Sequence, residues 1–180
     1  MSSRDPGARF RSLLLPHLDA AYNYARWLAG NDHDAQDVAH DAVLRALEYL
    51  DGFKGERIRP WLLTIVRNTF YTWLKKQRPV ELVESFEEET HGAPDYGSDP
   101  QAAALRNADL RALAAAIEKL PREYREALLL RELEDLSYQE IAVVLEIPLG
   151  TVMSRLARAR KRLEEVLRAP APERKYGSRF

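Results

Sequence analysis

Leu136-Ser137-Tyr138-Gln139-Glu140-Ile141-Ala142-Val143-Val144-Leu145-Glu146-Ile147-Pro148-Leu149-Gly150-Thr151-Val152-Met153-Ser154-Arg155-Leu156, followed by Ala157-Arg158-Ala159-Arg160-Lys161-Arg162-Leu163, reads as two short helices joined by a tight turn. Ser137 and Glu140 have the spacing of a capping box, in which each side chain accepts a hydrogen bond from the other residue's backbone N–H. The inward face of that first helix is Ile141, Val144 and Leu145. After the break at Glu146 to Pro148, a second helix carries Val152, Leu156, Ala159 and Leu163 at steps of four and three, which makes one apolar stripe. Pro148 is tolerated there because the first N–H groups of a helix have no partner within it. At 100° per residue the opposite side bears Thr151, Ser154, Arg158 and Lys161, flanked by Arg155 and Arg162. An anchored inner face with small or cationic outer residues suits a helix that enters a DNA major groove. The other reading is an ordinary amphipathic helix with a solvated basic face. Cap, turn and one-sided basicity coincide here, which favours DNA.

The chain of 180 residues can hold one ordinary domain or two small helical ones. Its net charge of −1 would argue against nucleic acid if it were spread evenly, but it is not. Asp32, Asp34, Asp37, Asp41, Glu48 and Asp51 lie in a stretch with one base, Arg45. The next stretch, Gly52 to Arg78, holds Lys54, Arg57, Arg59, Arg67, Lys75, Lys76 and Arg78 against one acid, Glu56. Such segregation implies separate surfaces for separate partners. With no cysteine, disulfides, thiolate metal sites and a cysteine nucleophile are excluded. His17, His33, His40 and His91 are scattered without metal-ligand spacing, and no nucleophile–base pair emerges, so neither an enzyme nor a cofactor is expected. No apolar run approaches the length of a membrane span, and Met1-Ser2-Ser3-Arg4-Asp5 lacks the apolar core of a signal peptide. A cytoplasmic protein without membrane insertion is expected.

Helical periodicity dominates, and the expected class is all-α. Leu13 to Ala29 reads as a first helix with Leu14, Leu18, Ala21, Ala25 and Leu28 inward, interrupted near its start by Pro16. Asp34 to Leu50 reads as a second, with Asp34 as its N-cap and Val38, Ala42 and Leu44 to Leu47 as apolar positions. A loop of paired glycines, Gly52-Phe53-Lys54-Gly55-Glu56-Arg57, precedes a third helix from Pro60 to about Gln77. Trp61, Leu62, Ile65, Val66, Phe70, Trp73 and Leu74 enrich that helix in large apolar groups. The three helices predict a bundle over residues 10–78.

From Pro79 to Pro100 the composition changes: Glu81, Glu84, Glu87, Glu88, Glu89, Asp95 and Asp99 occur with no lysine or arginine. Residues 79–104 are therefore expected to form an acidic, flexible linker. Helical signals resume near Gln101, and residues 105–168 make a second helical domain that ends in the helix-turn-helix. The tail 169–180 is expected to be disordered. A 26-residue tether from Pro79 to Ala104 spans at most about 85 Å extended and roughly 28 Å as a coil. Two DNA contacts more than about twenty base pairs apart, at about 3.4 Å per pair, need that tether pulled out by a larger partner.

Three motifs, in this order, are similar to those of the extracytoplasmic-function (group four) sigma factors of bacterial RNA polymerase, members of the sigma-70 family. They are Asp34-Ala35-Gln36-Asp37-Val38-Ala39-His40-Asp41-Ala42-Val43-Leu44-Arg45-Ala46, then Arg59-Pro60-Trp61-Leu62-Leu63-Thr64-Ile65-Val66-Arg67-Asn68, then Ile147-Pro148-Leu149-Gly150-Thr151-Val152-Met153-Ser154-Arg155-Leu156. The resemblance spans about Leu13 to Leu167. It implies that 10–78 is a region-2-like domain that binds core polymerase and the minus-ten element, and 105–168 a region-4-like domain that binds the minus-thirty-five element. The first motif would dock on the β′ coiled coil through Asp34, Asp37, Asp41 and Arg45. The acids share one helix face by their spacing of three and four. His40 stands where the family commonly has glutamine or glutamate.

The second motif and the loop before it resemble the part that opens the promoter. Melting calls for a cationic and aromatic surface for an unstacked strand. Phe53, Lys54, Arg67, Asn68, Tyr71, Lys75 and Lys76 are the candidates, while Trp61, Ile65 and Trp73 are assigned to packing. The third motif implies a minus-thirty-five reader, with Thr151 on the groove face, Ser154, Arg155 and Arg158 at base edges or their rim, and Lys161 and Arg162 on phosphates. Met153 replaces a residue that the family often has as lysine or arginine. By the same resemblance the partners are core RNA polymerase (β′ coiled coil and β flap), promoter DNA and an anti-sigma factor. Two other classes remain: a stand-alone helix-turn-helix regulator, in which the acidic N-terminal helix would have no task, and a sigma-mimicking adaptor that sequesters an anti-sigma factor.

Overall fold

Pro16 lacks an N–H and so cannot extend a regular helix through its own position. The chain accommodates it by changing helix type in the first strip of the fold. In a computed structural model that describes residues 6–77 and 102–168, α1 (Pro6–Arg9) runs into a wide turn over Phe10–Leu14 and a tight one over Leu15–His17. The regular helix α2 (Leu18–Ala29) begins only after that. The interruption expected at Pro16 thus takes the form of a change in helix type, and the regular helix starts at Leu18 rather than Leu13. Its inward set holds in part, with Leu14, Ala21 and Ala25 buried and Leu18 and Leu28 half-buried. Gly30 ends α2 at φ 80°, and its N–H donates to the Arg26 carbonyl at 2.9 Å.

Helix α3 (Asp32–Tyr49) is capped by Asn31, not by Asp34. Asn31 Oδ1 accepts from the Asp34 backbone N–H at 2.9 Å, and its side-chain amide donates to Asp34 Oδ2 at 2.7 Å. Asp34 occupies the third position of the helix, and its carboxylate steadies the capping amide of Asn31 from there. The apolar positions expected along this helix divide: Val38, Ala42 and Ala46 are buried, but Leu44 and Leu47 are 47 % and 38 % exposed. Helix α4 (Ile58–Gln77) starts two residues before Pro60 and buries Leu62, Leu63, Val66, Phe70 and Leu74 against α2 and α3.

The second half consists of α5 (Ala102–Glu118), α6 (Arg122–Glu132), α7 (Tyr138–Leu145) and α8 (Leu149–Arg168). Ala102 to Ala104, assigned to the linker from sequence, are already helical. The rest of the acidic stretch, 79–101, and the tail 169–180 lie outside the described residues. The capping box of α7 is formed as its spacing predicts: Ser137 Oγ accepts from the Glu140 N–H at 3.2 Å, and Glu140 Oε2 accepts from the Ser137 N–H at 2.7 Å. Ser137→Ala should therefore cost about 1 kcal/mol, read as a lower urea midpoint. An unchanged midpoint would show that packing alone holds the start of α7.

Leu120, Tyr124, Leu128 and Ala159 form a small apolar cluster under α6 and α8, with Ile117 and Leu163 at its edge. The main core is larger than either half. It runs from Leu14 and Tyr24 through Phe70 to Leu130, Ile141, Val144 and Leu156. Helix α7 packs on α4. The all-α class and the two helical units stand as expected, but the units share a core.

Candidate nucleic-acid interface

The basic face of α4 is where the two halves meet. Arg67 Nε donates to Glu126 Oε2 at 2.8 Å, and Arg122 Nε donates to Glu126 Oε1 at 3.2 Å. The Tyr71 hydroxyl also donates to Glu126 Oε1. The Glu126 side chain is only 5 % exposed, so these three donors compensate a charge that burial would otherwise penalise heavily. The cations are layered on the rings as well: the Arg122 guanidinium lies 4.3 Å from the Tyr71 centroid and 5.4 Å from that of Phe70, and Arg67 lies 4.7 Å from Tyr71. Burial, and then the Glu126 carboxylate, hold the Tyr71 phenol well above its ordinary titration range. For Arg67, burial opposes the charge, but the adjacent Glu126 carboxylate outweighs it and makes the guanidinium harder to deprotonate.

Two more ion pairs cross the same junction. Arg59 meets Glu134 at 2.5 Å, with the carboxylate 6 % exposed, and Arg57 meets Glu140 at 2.8 Å. Of the remaining minus-ten candidates, Asn68, Lys54, Lys75 and Lys76 are exposed. Phe53 is half-buried with its ring 4.9 Å from that of Trp61. Gly55 lies close against it: a Cβ there would stand 3.0 Å from the Phe53 ring.

The acidic helix presents Asp37 and Asp41 to solvent beside His40. With Gln36 and Trp73 they line an open groove between α3 and α4. Asp34 and Arg45 are half-buried, and Asp34 is engaged by its cap. Exposed Leu44, Leu47 and Tyr49 continue along α3, so this face offers apolar contact next to charge.

On α8, Val152, Leu156 and Ala159 are buried as their spacing predicts. Ser154, Arg158, Lys161 and Arg162 are exposed, and Thr151 is half-buried. Arg155 turns aside to pair with Glu123 at 3.4 Å, while Arg162 lies 5.3 Å from the Tyr124 ring. Arg158 and Lys161 thus remain the cations most openly presented. Met153, where a cation is common in the resemblance, is 53 % exposed.

Glu126, Arg122 and Glu134 were not among the sequence candidates. One signal was present: Glu126 stands on the buried stripe of α6, four residues before Leu130 and four after Arg122. An acid at an apolar position needs a partner, but nothing local says which.

Among the described residues no cluster of metal-ligating side chains occurs, and no helix is long and apolar enough to cross a membrane. Comparison with known proteins gives two family matches, one described as "Sigma-70 region 2" over residues 13–80 and one as "Sigma-70, region 4" over 110–163. The chain is 32 % identical over 158 residues to the ECF RNA polymerase sigma factor SigE of Mycolicibacterium smegmatis, covering 86 % of this chain and 60 % of that relative. It is 37 % identical over 138 residues to the ECF RNA polymerase sigma-E factor of Escherichia coli K12, covering 73 % and 72 %. Among solved structures, the sigma factor RpoE in complex with the anti-sigma factor NepR from Bartonella quintana matches with a TM-score of 0.71 and 32 % identity, over 90 % of this chain and 98 % of that one. CnrH in complex with the cytosolic domain of CnrY matches at 0.65 and 28 %, over 94 % and 93 %.

Proposed function

The chain belongs to the extracytoplasmic-function sigma factors of the sigma-70 family, and from that premise we propose that it binds core RNA polymerase and directs initiation at its promoters through two DNA contacts. In this proposal residues 10–78 hold polymerase and the minus-ten element, and residues 105–168 hold the minus-thirty-five element. The observation that carries it is the coexistence of two differently charged faces on one chain: exposed Asp37 and Asp41 on α3, and exposed Arg158 and Lys161 on α8. A stand-alone regulator would need only the second. Proteins of this family work by binding rather than by chemistry of their own, and the cytoplasm, where polymerase acts, is the compartment the reading requires.

The acidic face of α3 suits a basic coiled coil, with Leu44 and Leu47 adding apolar contact at its edge. Asn68, Lys75 and Lys76, together with Arg67 and Tyr71 once released, supply the cationic and aromatic surface for a separated strand. Ser154 and Arg158 reach base edges, and Lys161 and Arg162 reach phosphate. The matched structures include sigma factors held by anti-sigma factors, and such an inhibitor is proposed as this chain's regulator.

The direct test is transcription in vitro with core polymerase and mapping of the start sites. Promoter-specific transcripts are expected, and failure to associate with core polymerase overturns the proposal. Arg158→Ala should weaken the minus-thirty-five contact by about 1–3 kcal/mol if Arg158 pairs with a base. Equal loss on scrambled DNA would demote it to a phosphate contact.

A further inference from the structure

We infer that Met153 reads a thymine: its side chain lies against the C5-methyl group of a thymine in the minus-thirty-five element, within about three base pairs of the base that Arg158 contacts. The inference rests on the assignment of α8 to that element. It adds a base preference and the residue that sets it.

Met153 lies one turn into α8 and is 53 % exposed, and Leu149, on the same side at the start of the helix, is 40 % exposed. In a helix that lies in a major groove, the residues of the first turns are the ones that reach base edges. At about 100° per residue, Ala157 stands about 40° around the helix from Met153, Ser154 about 100° and Arg158 about 140°. These residues are exposed, while Val152, Leu156 and Ala159 are buried on the other side. The outward face is therefore apolar at one edge and cationic at the other, with Ser154 between them. Scattered exposed apolar side chains are ordinary. This one stands on a face whose Arg158, Lys161 and Arg162 suit a polyanion.

A methionine thioether donates no hydrogen bond and is a weak acceptor. Against guanine O6 and N7, or cytosine N4, it would cover a polar edge and leave it unpaired, which is unfavourable. The thymine methyl is the apolar group that a base pair presents in the major groove, and the flexible methionine chain lets its end follow that group. Ser154 supports the same pair. Its hydroxyl donates to the Thr151 carbonyl at 3.0 Å, so toward the groove it presents a lone pair that suits the adenine N6 amino group. An A·T pair carries both the amino and the methyl group on its major-groove edge. A rise of about 1.5 Å per residue places Met153 about 7.5 Å from Arg158 along the helix axis, about two steps of a duplex.

Holoenzyme assembled from core polymerase and the full chain selects from a duplex promoter library randomised over the minus-thirty-five segment. Wild type should enrich a thymine within about three base pairs of the position that Arg158→Ala relaxes, and Met153→Ala should lose that preference alone. In the enriched duplex, replacing the thymine by deoxyuridine removes only the methyl group. Competition binding by wild-type holoenzyme should then weaken about fourfold, the effect of one methyl group taken out of water, whereas Met153→Ala should bind both duplexes equally. Val143→Ala, which shortens a 63 % exposed apolar side chain of α7, should keep the difference. The deoxyuridine comparison in the wild type needs no change in the protein, so a folding defect in a variant leaves it readable.

Equal affinity of the wild type for the thymine and deoxyuridine duplexes overturns the inference. So does a difference that persists in Met153→Ala or disappears in Val143→Ala. Weaker assembly of Met153→Ala with core polymerase at an unchanged base preference also overturns it, by making Met153 a protein contact. The underlying assignment fails differently: selection would then return no preferred base anywhere in the segment, Arg158→Ala would bind the pool like wild type, and the inference would fall with it.

Discussion

Phe70→Ala is expected to cost about 3–5 kcal/mol of folding stability, the largest single effect foreseen in this molecule. Phe70 is 1 % exposed and belongs to the core that both halves share. Its ring lies 6.1 Å from that of Trp73 in a stacked arrangement and 5.4 Å from that of Tyr71 edge-on, with the Arg122 guanidinium 5.4 Å away. Truncation removes the transfer free energy of the ring and leaves a cavity in the core shared by both halves. Urea unfolding of the full chain reads the loss. A cost below about 1 kcal/mol, the size of an ordinary surface change, would mean that Phe70 is not the packing centre described.

Asp37→Lys should weaken binding to core polymerase by several kcal/mol, because it turns an attraction across the interface into like-charge opposition. The same change should leave the thermal melt of the free chain within about 0.5 kcal/mol. The separation follows from where Asp37 lies. It is exposed, and the ion pair recorded for it is with His33 at 3.8 Å, itself 86 % exposed, which contributes little in water. Asp34 would be a poorer choice for the experiment, because its carboxylate accepts from the Asn31 cap and its loss would mix folding with docking. Titration of labelled chain with core polymerase gives the affinity, and calorimetry gives the melt. A large drop in the melt would make Asp37 a structural residue, and unchanged affinity would remove α3 from the docking surface.

Local periodicity and capping explain what was legible beforehand. Ser137 and Glu140 close their box, Val152, Leu156 and Ala159 go inward, and Ser154, Arg158 and Lys161 go outward, all as spacing within one or two helices requires. The discrepancies arose where a short-range rule had a close competitor. Asn31 supplanted Asp34 as cap because both are good caps three residues apart, and the helix starts as early as a cap permits. Leu44 and Leu47 looked like core by residue type, but the inner line of α3 is filled by Ala35, Val38, Ala42 and Ala46, whose small side chains let α2 and α4 approach. The two leucines are left on the outer side, next to the proposed polymerase contact.

The sequence by itself determined that the chain is helical, the capping box of α7, the helix-turn-helix and the segregation of acid on α3 from base on α4, because each depends on residues within a few turns of one another. It also determined the family, since the three motifs keep their order and spacing. Only the tertiary structure decided that Arg67 and Tyr71 face Glu126, residues 59 and 55 positions away along the chain. No helical period links positions so far apart. Their meeting follows from the shared apolar core, which packs α7 onto α4 with α6 beside it and leaves a buried carboxylate there whose charge must be matched.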